Sequence, residues 1–483
     1  MNTKIENIAY FGLTKEFDDL YNNSKNGDNV YNLMSLILDE RNIKLAYNEL
    51  KTHMTSKIVD LDGKSIKDLL LLSEDEYVSF VRKRLSHYVP QQSKRGYKPK
   101  YYGELYPVGI SSIYDALIEQ CILQVLEPIC EARFYNHSYG FRPLRNVSHA
   151  LSRVVSLINR GKCYYAVKID TNSFFENVDH KIMMDKLWSF GIRDKRLLSV
   201  IKSMLSTYDS KGLIHSGILS TLLANVYLTD LDRWVESQWE HFSCNGNVHV
   251  FHNKKGLYLK HGYIVRYADE ILILTKKYEY AVRWKFAVSE FLDKRLHLSV
   301  NQNESKIVNL KQKYVDYLGF KIKVVPKGTT KNGYVAVTHI SDEALKKIKT
   351  ELKSKIMNIQ RNTYSDRACN NYNYCLMTIK NYYKYATMVY LDLDSIARGL
   401  SKSIKIRLGN KAKIVEYKSL DKAYKKLNVG VKSWTKIYKV NDVPLYVIQA
   451  VHHKNPMNYR QSMSIYSVKG RCAISAKNKQ LDF

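Results

Sequence analysis

The sequence predicts an α+β protein of two or three domains. Three observations carry this. Helix-spaced apolar residues dominate the two ends of the chain. Short alternating segments of strand character cluster between about residues 163 and 275. The charge turns from acidic to strongly basic along the chain. At 483 residues and 45% hydrophobic, the chain has enough apolar side chains for more than one core and does not read as disordered.

The elements follow in order. Residues 1–80 read as helical, with apolar spacing in Tyr31-Asn-Leu-Met-Ser-Leu-Ile-Leu38 and Leu45-Ala-Tyr-Asn-Glu-Leu50. Ser93-Lys-Arg-Gly-Tyr-Lys-Pro-Lys100 is turn-rich and basic. Ala116 to Glu131 predicts an amphipathic helix. Cys163-Tyr-Tyr-Ala-Val-Lys-Ile-Asp170 alternates as a strand and ends on an aspartate. Ser220 is placed to cap a long helix running through Trp234 to Trp239. Tyr263-Ile-Val-Arg-Tyr267 and Ile271-Leu-Ile-Leu274 flank the turn Ala268-Asp269-Glu270, the pattern of a hairpin. From about residue 340 the pattern is helical and rich in Lys and Tyr. No internal repeat and no low-complexity linker interrupts it.

Charge narrows the class of partner. Lys and Arg number 76 against 46 Asp and Glu, a formal net of +30. Residues 1–80 hold 9 Lys/Arg and 14 Asp/Glu, a net of −5, whereas residues 401–483 hold 18 and 4, a net of +14. A field this large and this uneven favours a polyanion, and nucleic acid is the usual one. The 38 tyrosines add aromatic faces on which unpaired bases stack. No run of about 18 apolar residues predicts a membrane span. The N-terminal Met1-Asn2-Thr3-Lys4-Ile5-Glu6 lacks the layout of a secretory signal and the arginines of a transit peptide. Expectation therefore places the protein inside the cell, in a bacterial cytoplasm or in the matrix of a plastid or mitochondrion that encodes it. Seven cysteines, at 121, 130, 163, 244, 369, 375 and 472, form no C-x-x-C pair, so they read as free thiols rather than zinc ligands.

Three acidic residues stand out by placement. One strand ends at Asp170, and one hairpin tip carries Asp269 and Glu270. A strand end and a hairpin tip side by side in one sheet aim three carboxylates at one point. Carboxylates so crowded call for Mg2+ and phosphate oxygens. Two metals held there activate a 3′-hydroxyl and stabilise a leaving pyrophosphate.

The words around these residues resemble a family. Ser138-Tyr-Gly-Phe-Arg-Pro143 with Arg145 and His149-Ala-Leu151, Lys168-Ile-Asp170 with Phe175 and Asn177-Val-Asp-His180, and Ser220-Thr-Leu-Leu-Ala-Asn225 come first. Val265-Arg-Tyr-Ala-Asp269, Asn303-Glu-Ser-Lys-Ile307 and Tyr317-Leu-Gly-Phe320 follow, in the order found in group II intron reverse transcriptases. Asn381-Tyr-Tyr-Lys-Tyr-Ala-Thr387, Leu391-Asp392, Lys405-Ile-Arg-Leu408, His453-Lys-Asn-Pro-Met457, Ile465-Tyr466 and Gly470-Arg471 resemble the maturase region of the chloroplast-like lineage. The likeness runs from about residue 15 to 471.

The resemblance implies a right-hand polymerase fold: residues 1–90 as a helical extension of the fingers, 91–330 as fingers and palm, 331–440 as the helical maturase (X, or thumb) domain, and 441–483 as a basic tail. Asp170, Asp269 and Glu270 are then the catalytic, metal-holding carboxylates. Phe175 is the floor under the incoming sugar. Lys100, Arg142, His215 and Lys306 face nucleotide or template. Lys380, Tyr382, Tyr383, Lys384, Lys402, Lys405, Arg407, Lys411 and Lys413 grip RNA through phosphates and stacking. Group II intron RNA is the implied partner, with a DNA target or cDNA as a second. Mg2+ is the implied cofactor of a working polymerase. The oligomeric state stays open, a dimer included.

Several positions depart from the family. Glu270 stands where the catalytic turn has a second aspartate, and Mg2+ demands near-ideal geometry. Ile214-His215-Ser216-Gly217 replaces Pro-Gln-Gly-Gly, and Glu104 and Tyr106 stand where the fingers have Lys and Arg. These departures fall on nucleotide handling and none falls on the maturase words. Gly470-Arg-Cys-Ala-Ile-Ser475 resembles the opening of an HNH endonuclease, but a lone Cys472 does not build that site, so no nuclease is expected. The reading is a maturase that promotes splicing of its intron, with polymerase activity weakened or lost. The rivals are a working RNA-directed DNA polymerase of a mobile intron and a defence- or CRISPR-associated reverse transcriptase.

Overall fold

In the computed structural model the described residues are 3–53, 66–90, 94–99, 105–110, 112–207, 210–214, 217–239, 259–329, 333–428, 431, 435–458 and 465–466, with the backbone alone for 94–99 and 105–110. The chain divides into two compact units. One holds Met1–Arg153, Val167–Ile307 and Asn458–Phe483, and the other Val154–Ala166 and Val308–Met457.

The first unit opens with helices α1 (Thr3–Tyr10), α2 (Thr14–Asn26), α3 (Leu33–Ile37), α4 (Glu40–His53), α5 (Ile66–Leu70) and α6 (Glu74–Ser86). Ser73 starts α6 through a capping box with Glu76, whose carboxylate accepts from the Ser73 N–H at 2.7 Å. The stretch expected to be a turn at 93–100 is instead a strand, β1 (Lys94–Pro99), paired antiparallel with β2 (Leu105–Ile110). Its glycine and proline sit in a two-stranded ribbon, where no inner neighbour demands every N–H.

The next helix, α7 (Ile113–Glu131), starts three residues before expectation, where Ser112 accepts from the Tyr114 N–H. It is buried nearly all round, and its acids each hold another segment. Asp115 faces Tyr88, Glu119 accepts from the Leu219 N–H at 3.1 Å, Glu127 takes Lys4, and Glu131 takes Arg142. The same Glu127 receives the hydroxyl of Tyr466, which is buried against Phe17 and Tyr21. So Ile465 and Tyr466, expected in a basic tail, are core residues of the N-terminal helices.

Helix α8 (Val147–Asn159) leads to strand β3 (Tyr165–Ile169). Then come α9 (His180–Ser189), capped by Asp179, and α10 (Lys195–Ser206), capped by Asp194. The long helix α11 (Ser220–Trp239) follows, with Ser220 as its first residue. Strands β4 (Tyr263–Tyr267) and β5 (Glu270–Thr275) form the expected hairpin, followed by α12 (Tyr278–Leu296) and β6 (Lys306–Asn309). These strands make one sheet in the order β4-β5-β3-β6, so the end of β3 lies beside the hairpin.

The second unit is not purely helical. Strands β7 (Val315–Tyr317), β8 (Phe320–Pro326) and β9 (Tyr334–Ile340) form one three-stranded sheet. Helices α13 (Asp342–Arg361), α14 (Asp366–Tyr383) and α15 (Val389–Leu408) follow, the first two capped by Ser341 and Ser365. A second sheet combines β10 (Ala412–Glu416), β11 (Lys436–Val440) and β12 (Val443–Pro444), with α16 (Lys422–Leu427) between its first two strands. The division between the units falls at 307–308 rather than at 330, because β9 is tied to the helices. Asp392 of α15 accepts from the Ile340 N–H at 2.8 Å, and Thr387 and Thr338 exchange hydrogen bonds. Among the described residues no helix is long and apolar enough to cross a membrane.

Candidate active site and basic face

Asp170 is the residue immediately after β3. Its N–H donates to Ser305 Oγ at 3.0 Å and its carbonyl accepts from the Asn301 N–H at 2.9 Å, so the loop before β6 cradles the strand end. Burial, then the charges of Asp269 and Glu304, push the Asp170 carboxyl above its ordinary range, against the pull of Lys168. The strand end and the hairpin tip therefore bring Asp170 and Asp269 within Coulombic reach.

The hairpin turn has two residues, Ala268 and Asp269, because Tyr267 pairs with Glu270 across the strands. Ala268 takes a φ of +56°, a conformation costly for a residue with a Cβ. A buried clamp holds it there. Arg266 has no exposed surface, and its guanidinium takes both carboxylate oxygens of Asp232 at 2.6–3.0 Å. It also donates to Asn225 Oδ1 at 3.0 Å and to the Ala268 carbonyl at 2.7 Å. Asn225 in turn donates to the Gly140 carbonyl at 2.9 Å. Gly140 lies so close to the turn that a Cβ added there would meet Ala268 N at 2.3 Å. Words from three motifs thus lock one backbone turn, and with it the base of Asp269.

Glu270 is the first residue of β5 rather than part of the turn. It lies beside Tyr267, whose phenol is raised by burial and by the Glu270 charge. Among the described residues no three carboxylate, histidine or cysteine side chains converge as a preformed metal cluster. Asp170 and Asp269 nonetheless fit a hard divalent cation. They supply oxygen donors, and their mutual repulsion is what a cation relieves.

Phe175 lies in a 3₁₀ turn, Phe174–Glu176, and is half-buried. Its carbonyl accepts from the Leu213 N–H at 2.6 Å. Gly212, at φ +103°, makes that approach possible, since a Cβ there would meet the carbonyls of Glu176 and Phe175 at about 3 Å. Leu213 is thus held by Phe175, and Leu219 by Glu119. His215, Ser216, Lys100 and Glu104 lie outside the described residues, as does the side chain of Tyr106. Lys306 is exposed, 3.9 Å from Glu304.

Two basic residues expected to touch nucleic acid are buried instead. Arg142 is 6% exposed and forms a two-bond pair with Glu131 at 2.8 and 3.1 Å. It also donates to the carbonyls of Tyr135 and Ser138. It holds the Ser138–Gly140 segment and has no face left for nucleotide. Lys380, 5% exposed, donates to the Leu427 carbonyl at 3.1 Å, and burial lowers its ammonium pKa to about 8. Tyr382 and Tyr383 pack with Phe320, and the Tyr382 hydroxyl donates to the Leu318 carbonyl at 3.1 Å. Tyr382 still shows 39% of its surface, while burial raises the Tyr383 phenol to about 12.

Lys402, Lys405 and Arg407 on α15, Lys411 in the turn after it and Lys413 on β10 are all exposed. None of the five is in an ion pair among the described residues. Exposed Ile406 and Ile414 are chain neighbours of these cations. Lys384, at the C-cap of α14, is half-buried.

Sequence reasoning missed the Arg266–Asp232–Asn225–Gly140 clamp. Arg266, Asn225 and Gly140 are written inside the motif words, but nothing local says that an arginine among strand residues is wholly buried. Its partner Asp232 lies elsewhere in the chain.

This sheet, with Asp170 at a strand end beside the hairpin that carries Asp269, has the layout of a reverse-transcriptase palm. Residues 94–322 match the reverse transcriptase (RNA-dependent DNA polymerase) family. Beyond that match the chain is similar to proteins encoded in group II introns and to intron maturases. It is 26% identical over 263 residues to protein YkfC of Escherichia coli, a match covering 49% of this chain and 68% of that one. It is 25% identical over 383 residues to the putative COX1/OXI3 intron 2 protein of Saccharomyces cerevisiae, covering 67% of this chain and 43% of the relative. To the group II intron-encoded protein LtrA of Lactococcus lactis it is 27% identical over 301 residues, covering 50% of this chain and 49% of the relative. The chain thus spans less than half the length of the latter two relatives. Other relatives include nuclear intron maturases.

Proposed function

We propose that this protein is a maturase: it binds group II intron RNA and promotes its splicing, on a reverse-transcriptase scaffold whose polymerase activity is reduced. The observation that carries this reading is the C-terminal end of α15 with the turn and strand after it, where five cations stand exposed and unpaired among the described residues. Such cations bind RNA phosphates and release counterions, and the contacts are many and individually dispensable.

The palm supports the second half of the reading. Asp170 and Asp269 would hold the divalent cation, Mg2+ by the chemistry of the donors, which would polarise phosphoryl oxygens and lower the pKa of a 3′-hydroxyl. The clamp orients Asp269, and Phe175 supports the sugar from below. Glu270 adds a methylene where the family has an aspartate, and His215, Ser216 and Tyr106 replace residues that face the nucleotide. Errors that act on one transition state combine without simple additivity. A working RNA-directed DNA polymerase is the second reading, favoured by the juxtaposition of Asp170 with Asp269.

One experiment separates them: splicing of the intron and primer extension assayed on the same purified protein. Asp269→Ala is expected to leave splicing nearly unchanged. The combination Lys384→Ala, Lys405→Ala and Arg407→Ala is expected to impair it. Robust extension by the unmodified protein that Asp269→Ala abolishes would put the polymerase reading first.

A further inference from the structure

We infer that Lys384 and Lys454 form a two-ammonium notch that holds one backbone phosphate of bound RNA. This rests on the RNA-binding reading above and extends it. It names the ligand group and adds Lys454, a residue with no role so far.

The juxtaposition is built by the backbone. Lys384 is the C-cap of α14, and its carbonyl accepts from the Lys454 N–H at 2.8 Å. One residue earlier, His453 Nδ1 lies 3.0 Å from the Ala386 carbonyl. The segment carrying Lys454 is therefore pinned to the end of α14 at two points. Burial, and after it the charge of Lys454, hold the Lys384 ammonium below the ordinary lysine range. Its hydrogen-bond partner is a neutral amide, Asn381 Oδ1 at 3.4 Å, and the Tyr385 ring lies 5.5 Å from its Nζ.

Several lysines of this unit carry an acidic partner, and those of α15 and β10 without one stand exposed rather than beside a second ammonium. Lys321 pairs with Asp342 at 2.6 Å, Lys347 with Glu343 at 2.5 Å, Lys418 with Glu416 at 3.0 Å and Lys439 with Asp442 at 3.0 Å. Among the described residues neither Lys384 nor Lys454 has an acidic partner. Two like charges brought together without a counter-charge disfavour the free protein, and an anion between them reverses that sign. The plainer explanation is a cation answering the negative end of the α14 dipole. One ammonium serves that purpose, and Lys384 is already placed for it. A second beside it adds repulsion and needs another reason. A phosphodiester supplies the required charge, and RNA is the phosphodiester the exposed cations of α15 and β10 are suited to bring.

The test is equilibrium binding of the full chain to a labelled RNA oligonucleotide over a KCl series, with thermal melting of the same proteins. Lys384→Gln and Lys454→Gln are each expected to weaken binding several-fold. The double variant should cost clearly less than the sum of the two, because they serve one phosphate. Its salt slope should fall by about 1 rather than about 2. Melting temperatures should not fall. Full affinity in Lys454→Gln overturns the notch, and so do additive losses with a slope change of about 2. A lowered melting temperature with affinity intact assigns the pair to helix capping instead. Neutralising Lys402, Lys405, Arg407, Lys411 and Lys413 in parallel separates the two ideas. If that variant loses affinity while the notch variants do not, the notch alone fails. If all bind normally, the RNA-binding reading of this unit fails with it.

Discussion

The palm and the maturase region use charge in opposite ways. In the palm the decisive cations are buried and saturated: Arg266 by Asp232, Asn225 and the Ala268 carbonyl, and Arg142 by Glu131 and two carbonyls. From the end of α15 to β10 the cations are exposed and unpaired among the described residues. A buried, saturated charge fixes a backbone position and tolerates little, because losing one partner strands the other in a low dielectric. An exposed charge fixes nothing and is available to a ligand. A site of the first kind fails with one substitution, whereas a surface of the second kind fades gradually. The departure at Glu270 falls beside the region that tolerates least.

The sharpest break of this contrast is Asp232→Ala. It leaves Arg266 buried without its carboxylate, and loss of one partner of such a pair costs about 3–5 kcal/mol. Denaturant unfolding should show that loss, with primer extension gone. A change below about 1 kcal/mol would mean that the clamp is not what holds the hairpin.

The exposed cations should respond differently. Neutralising Lys402, Lys405, Arg407, Lys411 and Lys413 together should lower RNA affinity on the order of a hundred-fold and flatten its salt dependence, with stability unchanged. The same number of neutralised cations within residues 1–80 should cost far less. Equal losses would show that the charge asymmetry is not the binding footprint.

Gly140→Ala sharpens the comparison within the palm. The added Cβ meets the backbone of Ala268 at 2.3 Å and no flexible side chain can yield, so the turn carrying Asp269 must shift. Such overpacking costs about 1–3 kcal/mol. Whatever primer extension the protein has should drop well beyond that stability loss, while RNA affinity stays. Affinity falling in step with extension would show that the two regions are not separable in this way.

How much of this was legible in the sequence depends on range. The strand end at Asp170, the hairpin around Asp269 and the long helix from Ser220 follow from local periodicity and were readable. The two-residue turn was not. Glu270 pairs with Tyr267 because the clamp twists the hairpin at Ala268, and that clamp joins residues far apart in the chain. The β10–β12 sheet was hidden for another reason. Ala412-Lys-Ile-Val-Glu416 is short, charged and set between two helices, and its partner strand lies beyond the second. Tyr466 read as part of a basic tail because its partners, Glu127, Phe17 and Tyr21, come from the other end of the chain.

Lys380 gives the smallest expected effect and the cleanest separation of surface from core. By its place in the motif it resembled an RNA contact, yet its Nζ is buried against the Leu427 carbonyl, and burial holds its pKa at about 8 against an ordinary 10.5. A lysine whose folded pKa lies below its unfolded one binds fewer protons when folded. Between about pH 8 and 10.5 the unfolded chain therefore takes up more protons, and stability rises with pH across that window. Below pH 8 the buried ammonium is a constant burden. Lys380→Met keeps most of the apolar stem, removes the charge and gives up one hydrogen bond, a loss of about 1 kcal/mol. At pH 7 the two effects oppose, so the variant should be as stable as the parent or slightly more so, and above pH 10 it should be slightly less stable. Its stability should no longer rise between pH 8 and 10.5, and its RNA affinity should equal that of the parent. Melting curves across that range, beside one binding curve at neutral pH, decide the matter. A clear loss of RNA affinity with stability intact would return Lys380 to the binding surface.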